Sequence, residues 1–168
     1  LFIFILVRQT PYSQTLAVSR IDMNDELINI YSYNLGDNPV RTIGINQEGQ
    51  FFVDSKSRLT ILDKRENYVA LLTILETDKN KFESELREKV GQEKINKLKK
   101  ELFKCGLTVS PYWSELVADW IETDDIDKEM KELLTVTIQD KRVNQGQRNK
   151  IRRLIKNFQY RPNRQQEL

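Results

Sequence analysis

The sequence predicts an α+β fold, a small antiparallel sheet in the N-terminal part packed by a helical C-terminal two-thirds. Two observations carry that expectation. Up to Leu62 the apolar residues fall in short, partly alternating runs broken by Gly, Asn and Pro. From Asp63 onward they recur at three- and four-residue spacing, the period of a helix face. A third observation bounds the rest: 168 residues with 39% hydrophobic and 31% charged side chains suit one folded domain, not wholesale disorder or a multi-span membrane protein. We divide that domain into a strand-rich part (1–62), a helical part (63–140) and a basic C-terminal helix and tail (141–168).

The opening run Leu1 to Val7 is apolar, β-branched and aromatic, and is stopped by Arg8 and Pro11, so it reads as a buried strand. At seven residues it is far short of the roughly 20 that cross a bilayer as a helix. Ile28 and Ile30 alternate with Asn29 and Tyr31, and Gly36-Asp37-Asn38-Pro39 punctuates the chain. Val40 to Ile45 and Gln50 to Asp54 form a hairpin through Asn46-Gln47-Glu48-Gly49, with Gly49 supplying the positive φ of a short loop. Leu59 to Leu62 completes the strands.

Asp63 with Glu66 resembles a capping box, and Tyr68, Leu71, Leu72 and Leu75 share one face, widened by Val69, Ala70 and Ile74. A helix with Phe82, Leu86 and Val90 stops at Gly91, and one with Ile95, Leu98 and Leu102 stops at Gly106, as glycine C-caps do. These two Lys- and Glu-rich helices read as an exposed hairpin over the core. Ser110-Pro111 opens a helix that aligns Trp113, Leu116, Val117 and Trp120, a stripe expected in the core. Thr123 is positioned to cap the next helix, with Ile126, Met130, Leu133 and Leu134, and Thr135 to Ile138 either extends it or forms a strand. Asn144-Gln145-Gly146 breaks the chain before a last helix from about Gln147 to Tyr160.

Scarce residues exclude whole chemistries. With no His, the chain carries no Ser-His-Asp or Cys-His catalysis and no imidazole switch. Its one cysteine, Cys105, permits neither an intrachain disulfide nor a four-Cys zinc site. Lys99, Lys100 and Lys104 lie near Cys105 and could lower its pKa, although one Cys without a His reads as an inert thiol. The absence of disulfides and of a complete export signal leads us to expect a cytoplasmic protein.

Charge is divided unevenly. From Lys141 on there are nine bases against one acid, a net of +8; the first 140 residues hold 18 bases against 24 acids, a net of −6. In the last helix Ile151, Leu154, Ile155 and Phe158 fall on one stripe, and the bases occupy the rest. The leading expectation is therefore a non-catalytic nucleic-acid-associated or assembly protein. Phosphates of RNA or DNA would be met by Arg148, Lys150, Arg152, Arg153, Lys156 and Arg161, with Tyr160 and Arg161 able to stack on bases. No cofactor is expected, and a membrane is not the expected partner. A purely protein-binding or self-associating subunit is an alternative. The cluster Glu122, Asp124, Asp125 and Asp127 reads as helix-start acids complementing the dipole, or as a site for a basic partner, this chain's own basic segment included.

One segment points to an enzyme instead. Phe51-Phe52-Val53-Asp54-Ser55-Lys56, preceded by a Gly-containing turn and another strand, resembles the hairpin of PD-(D/E)xK nucleases. In that family a strand ends in an acid, a spacer and a lysine, and an acid on the preceding strand completes a magnesium site. The resemblance implies a Mg²⁺ held by Asp37 and Asp54, with Lys56 assisting the attacking water. In the family pattern the first acid follows a proline, whereas here Pro39 is followed by Val40 and Arg41 and Asp37 precedes it.

Overall fold

The computed structural model describes residues 27–56 and 58–159. The expected strand at Leu1 to Val7, and Tyr160, Arg161 and the tail after them, lie outside those residues. The architecture is α+β. Strands β1 (Ile28–Tyr33), β2 (Arg41–Ile45), β3 (Phe51–Ser55) and β4 (Arg58–Ile61) form an antiparallel meander in sequence order. A 3₁₀ helix (Arg65–Glu76) follows, then α1 (Lys79–Val90), α2 (Gln92–Val109), α3 (Pro111–Trp120), a 3₁₀ turn (Thr123–Asp125), α4 (Lys128–Thr137) and α5 (Gln145–Gln159).

The β2–β3 hairpin closes as its residues dictate. Asn46 Oδ1 accepts from the Gln50 amide at 2.8 Å, and Gly49 takes φ 80°, which a side chain would resist. β1 departs from simple alternation because its pairing shifts between Asn29 and Tyr31. That bulge turns both Ile30 and Tyr31, adjacent in sequence, into the core, whereas Ile28 at the start of the strand is exposed.

Tyr31, Tyr33, Ile43, Ile45, Phe51 and Val53 form the inner face of the sheet. Phe82 of α1 packs edge-on to Tyr31, with ring centroids 5.4 Å apart, and touches Trp120 of α3 on its other side. The Arg41 guanidinium donates through Nη1 to the Ala70 carbonyl and to Thr73 Oγ1, both at 3.0 Å, fastening β2 to the 3₁₀ helix.

Several helix expectations are corrected. The segment after Asp63 is 3₁₀, not α, and starts from Lys64 without a side-chain cap; the Asp63 carboxylate accepts from Asn67 Nδ2 instead. Its Tyr68, Leu71, Leu72, Ile74 and Leu75 are buried, but Val69 is exposed. α2 runs through Gly106 to Val109 and is not an exposed lid. It packs against the 3₁₀ helix, α1, α3 and α4 and buries Ile95, Leu98, Leu102 and Phe103. Gly106 serves close approach: a Cβ there would sit 2.6 Å from Val117 Cγ2 of α3. Asp127, not Thr123, caps α4, its Oδ1 accepting from the Met130 amide at 2.8 Å. Thr135 to Thr137 continue α4, with Ile138 as its C-cap.

On the outer face, Gly44 pairs with Phe52, whose ring lies over the glycine. A Cβ at position 44 would come within 2.1 Å of Phe52 Cζ and 2.6 Å of the Ile28 carbonyl oxygen. Gly44→Ala is therefore expected to cost about 2 kcal/mol through overpacking. Urea unfolding measures this, and an unchanged midpoint would contradict the account.

Candidate nucleic-acid interface

α5 begins at Asn144, whose Oδ1 accepts from the Gly146 amide at 2.7 Å and whose carbonyl accepts from the Arg148 amide at 3.0 Å. The helix seats on α3, α4 and the turn at Thr123–Asp125. Ile151 is fully buried, and Leu154, Ile155 and Phe158 pack against the core, so the predicted apolar stripe is the docking face.

The predicted bases do not all face outward with free heads. Lys150 Nζ lies 3.0 Å from Asp119 Oδ1 of α3, and Gln147 Nε2 donates to both oxygens of the same carboxylate. Arg148 is half-buried, donates to the Gln145 side chain, and keeps its Nε buried without a hydrogen bond. Arg152 is exposed and is steadied by Asn149 Oδ1 at 2.7 Å. Arg153 and Lys156 are exposed. Arg161 lies outside the described residues. Just before the helix, Lys141 is exposed, while Arg142 forks onto Asp140 with Nη2 2.8 Å from Oδ2. That fork holds the Asp140 carboxyl below its usual range. Asp119, which sequence reasoning passed over, anchors the first turns of α5; its single charge on an exposed face gives no sequence signal of that role.

The acidic cluster has its basic partner within the chain. Lys99, in the middle of α2 and only 5% exposed, lies 2.7 Å from Glu83 Oε1 and 3.4 Å from Asp125 Oδ1. Burial alone would lower the Lys99 ammonium pKa, but Glu83 and Asp125 outweigh it and raise it. Lys104, one and a half turns on and also buried, lies 2.7 Å from Glu129 Oε2 and 3.2 Å from Glu101 Oε1. Arg65 Nη2 closes on the other oxygen of Glu129 at 2.6 Å, and Lys79 pairs with Glu122. Asp125 also accepts from the Glu122 amide at 2.9 Å in a reciprocal cap. These contacts tie α2, the 3₁₀ helix and α1 to α4 and the turn before it.

Asp37, Asp54 and Lys56 occupy three different settings. Asp37 lies in the β1–β2 loop beside Gly36 at φ 58°, and Asp54 points to the outer face between Thr42 and Leu59. Lys56 follows β3 in its turn, and all three are exposed. Among the described residues, no group of three or more acid or thiol side chains converges as metal ligands do. Cys105 is buried, and burial pushes its thiol pKa up while Arg65 opposes only partly, which agrees with the reading of an inert thiol. Trp120 is buried, whereas Trp113 is partly buried and stacks edge-on against exposed Tyr112. Among the described residues no helix is long and apolar enough to cross a membrane. Comparison with family models, curated proteins and solved structures finds no match for this chain.

Lys99→Ala removes the cation that bridges Glu83 and Asp125 and is expected to cost about 3 kcal/mol in urea unfolding; an unaltered midpoint would contradict that role. On the acid side the sign follows from Glu122 and Glu129, whose pKa values are lowered chiefly by hydrogen bonds from Lys79 and from Lys104 with Arg65. Their contribution is complete above the unfolded carboxylate pKa of about 4.3 and is lost as pH falls through the folded values. The thermal midpoint should therefore drop on acidification below that value, and by less in Glu129→Gln.

Proposed function

We propose that this chain is a non-catalytic nucleic-acid-associated protein that meets phosphate through the outward side of α5. Arg152, Arg153 and Lys156 form the centre of that surface, with Lys141 preceding the helix and Arg161 following it in the sequence. The observation that carries the reading is how the helix docks. Because Ile151, Leu154, Ile155 and Phe158 are spent on the protein's own core, the apolar stripe is not available to enter a partner's hydrophobic groove or a bilayer interface. What α5 presents is charge, and arginine forks suit phosphate oxygens. Arg148 and Lys150 support the surface from within, since Gln145 and Asp119 already engage them.

The test is a fluorescence titration with mixed-sequence single-stranded RNA and DNA at several salt concentrations. The logarithm of affinity should fall linearly with the logarithm of salt, by roughly 0.7 per phosphate contacted. Arg152→Glu with Arg153→Glu should weaken binding across all sequences and lower that slope by about 0.7 per lost contact. Absence of binding at low salt would reject the proposal.

A further inference from the structure

A second basic feature, which shares no residue with α5, lies in a cleft of about 480 Å³ between strands β2 to β4 and the 3₁₀ helix. Pairing puts Arg41 across from Ser55 and Ser55 across from Arg58, so one row on three adjacent strands reads Arg-Ser-Arg with every side chain on the same face. Strands in a sheet are about 4.8 Å apart, which sets the two arginine backbones about 10 Å apart with the serine between them.

Each member of the row is committed differently. Arg41 is held through its Nη1 by the Ala70 carbonyl and Thr73 Oγ1, and its guanidinium also engages the Tyr33 hydroxyl, which keeps its charge at the inner wall of the cleft. The Ser55 hydroxyl donates to the Arg58 carbonyl at 3.1 Å and fixes the β3–β4 turn from which Arg58 projects. The exposed Arg58 side chain and the Thr60 hydroxyl make no hydrogen bond or ion pair with any described residue. Val53 lines the cleft from the sheet side, and Val69, an apolar side chain 48% exposed, lines it from the 3₁₀ helix. Glu66 stands on the same wall.

We propose that this cleft binds a small phosphate monoester with a hydroxylated body, of the sugar-phosphate class. The unengaged Arg58 fork and the Arg41 cation opposite it place two positive charges around one space, which suits a group with three terminal oxygens and a double charge; a carboxylate is satisfied by a single fork. Thr60 donates a further hydrogen bond to the phosphate. Glu66 would repel the anion if it faced it directly, and instead accepts from a ligand hydroxyl, while Val53 and Val69 contact the carbon skeleton. The site is separate from α5 and does not rest on nucleic-acid binding there.

Isothermal titration with ribose 5-phosphate, inorganic phosphate and ribose tests it. Ribose 5-phosphate should bind, inorganic phosphate should bind more weakly, and ribose should give no heat. Arg58→Gln, at an exposed position, should weaken ribose 5-phosphate by about tenfold or more. Glu66→Gln should weaken ribose 5-phosphate yet leave inorganic phosphate equal or tighter, an outcome that loss of folding would not produce. Absence of heat with both phosphates, or unchanged affinity in Arg58→Gln, would overturn the proposal. So would binding that persists in Arg58→Gln and disappears in the Arg152→Glu, Arg153→Glu variant, because the phosphate would then sit on α5.

Discussion

Two ammonium groups inside one helix organise everything around them. Lys99 and Lys104 of α2 are buried to 5% and 7% exposure, and a cation so placed is tolerated only with carboxylates at contact distance. Those carboxylates come from α1 (Glu83), from the turn before α4 (Asp125), from α4 (Glu129) and from α2 itself (Glu101). The pairs with Glu83, Asp125 and Glu129 therefore select which element lies beside α2, in a way that interchangeable apolar contacts do not. Net stabilisation is a separate matter, because desolvation offsets much of the Coulomb gain. The consequence reaches α5, which rests on the same turn and on α4.

How much of this was legible in the sequence depended on the range of the interaction. The β2–β3 hairpin was readable because alternation and Gly49 are local signals, and α1, α3 and α5 were readable because their apolar spacing is a property of each helix alone. Gly106 was misread because a glycine without a Cβ suits a C-cap and a close helix crossing equally, and only the position of Val117 distinguishes them. Asp63 was misread for a related reason: its carboxylate had two local donors to choose from and took Asn67. Tyr31 was not grouped with Ile30 because a bulge interrupts the alternation there and buries two successive residues. The lysine pairs were invisible, since Lys99 and Asp125 are 26 positions apart and belong to different elements.

The same limit governs the candidate sites. A summed charge identified α5 as basic, and the docking of Ile151 confirms which side of it faces the core. It could not identify Asp119 as the residue that occupies Lys150. Arg41 and Arg58 were passed over altogether because they are 17 positions apart with the β3 strand between them; they become a pair only through strand register. Strand pairing thus assembled a constellation from residues that carry no motif.

The division of the chain into an acidic body and a basic end suggests at first that one should bind the other. Geometry reduces that attraction to a few contacts. Asp125, Asp127, Glu122 and Glu129 face lysines of α1 and α2 or the Arg65 guanidinium at close range, so much of the acidity that the body would offer is already engaged. Asp119 reaches α5 in an ion pair and takes Lys150 near the helix start. Further along, Arg152 and Arg153 stand exposed on the side opposite the buried stripe. Only charges left in this state can exchange counterions for a polyanion, so the effective basic surface is set by which carboxylates the fold has consumed and not by the net charge of the segment.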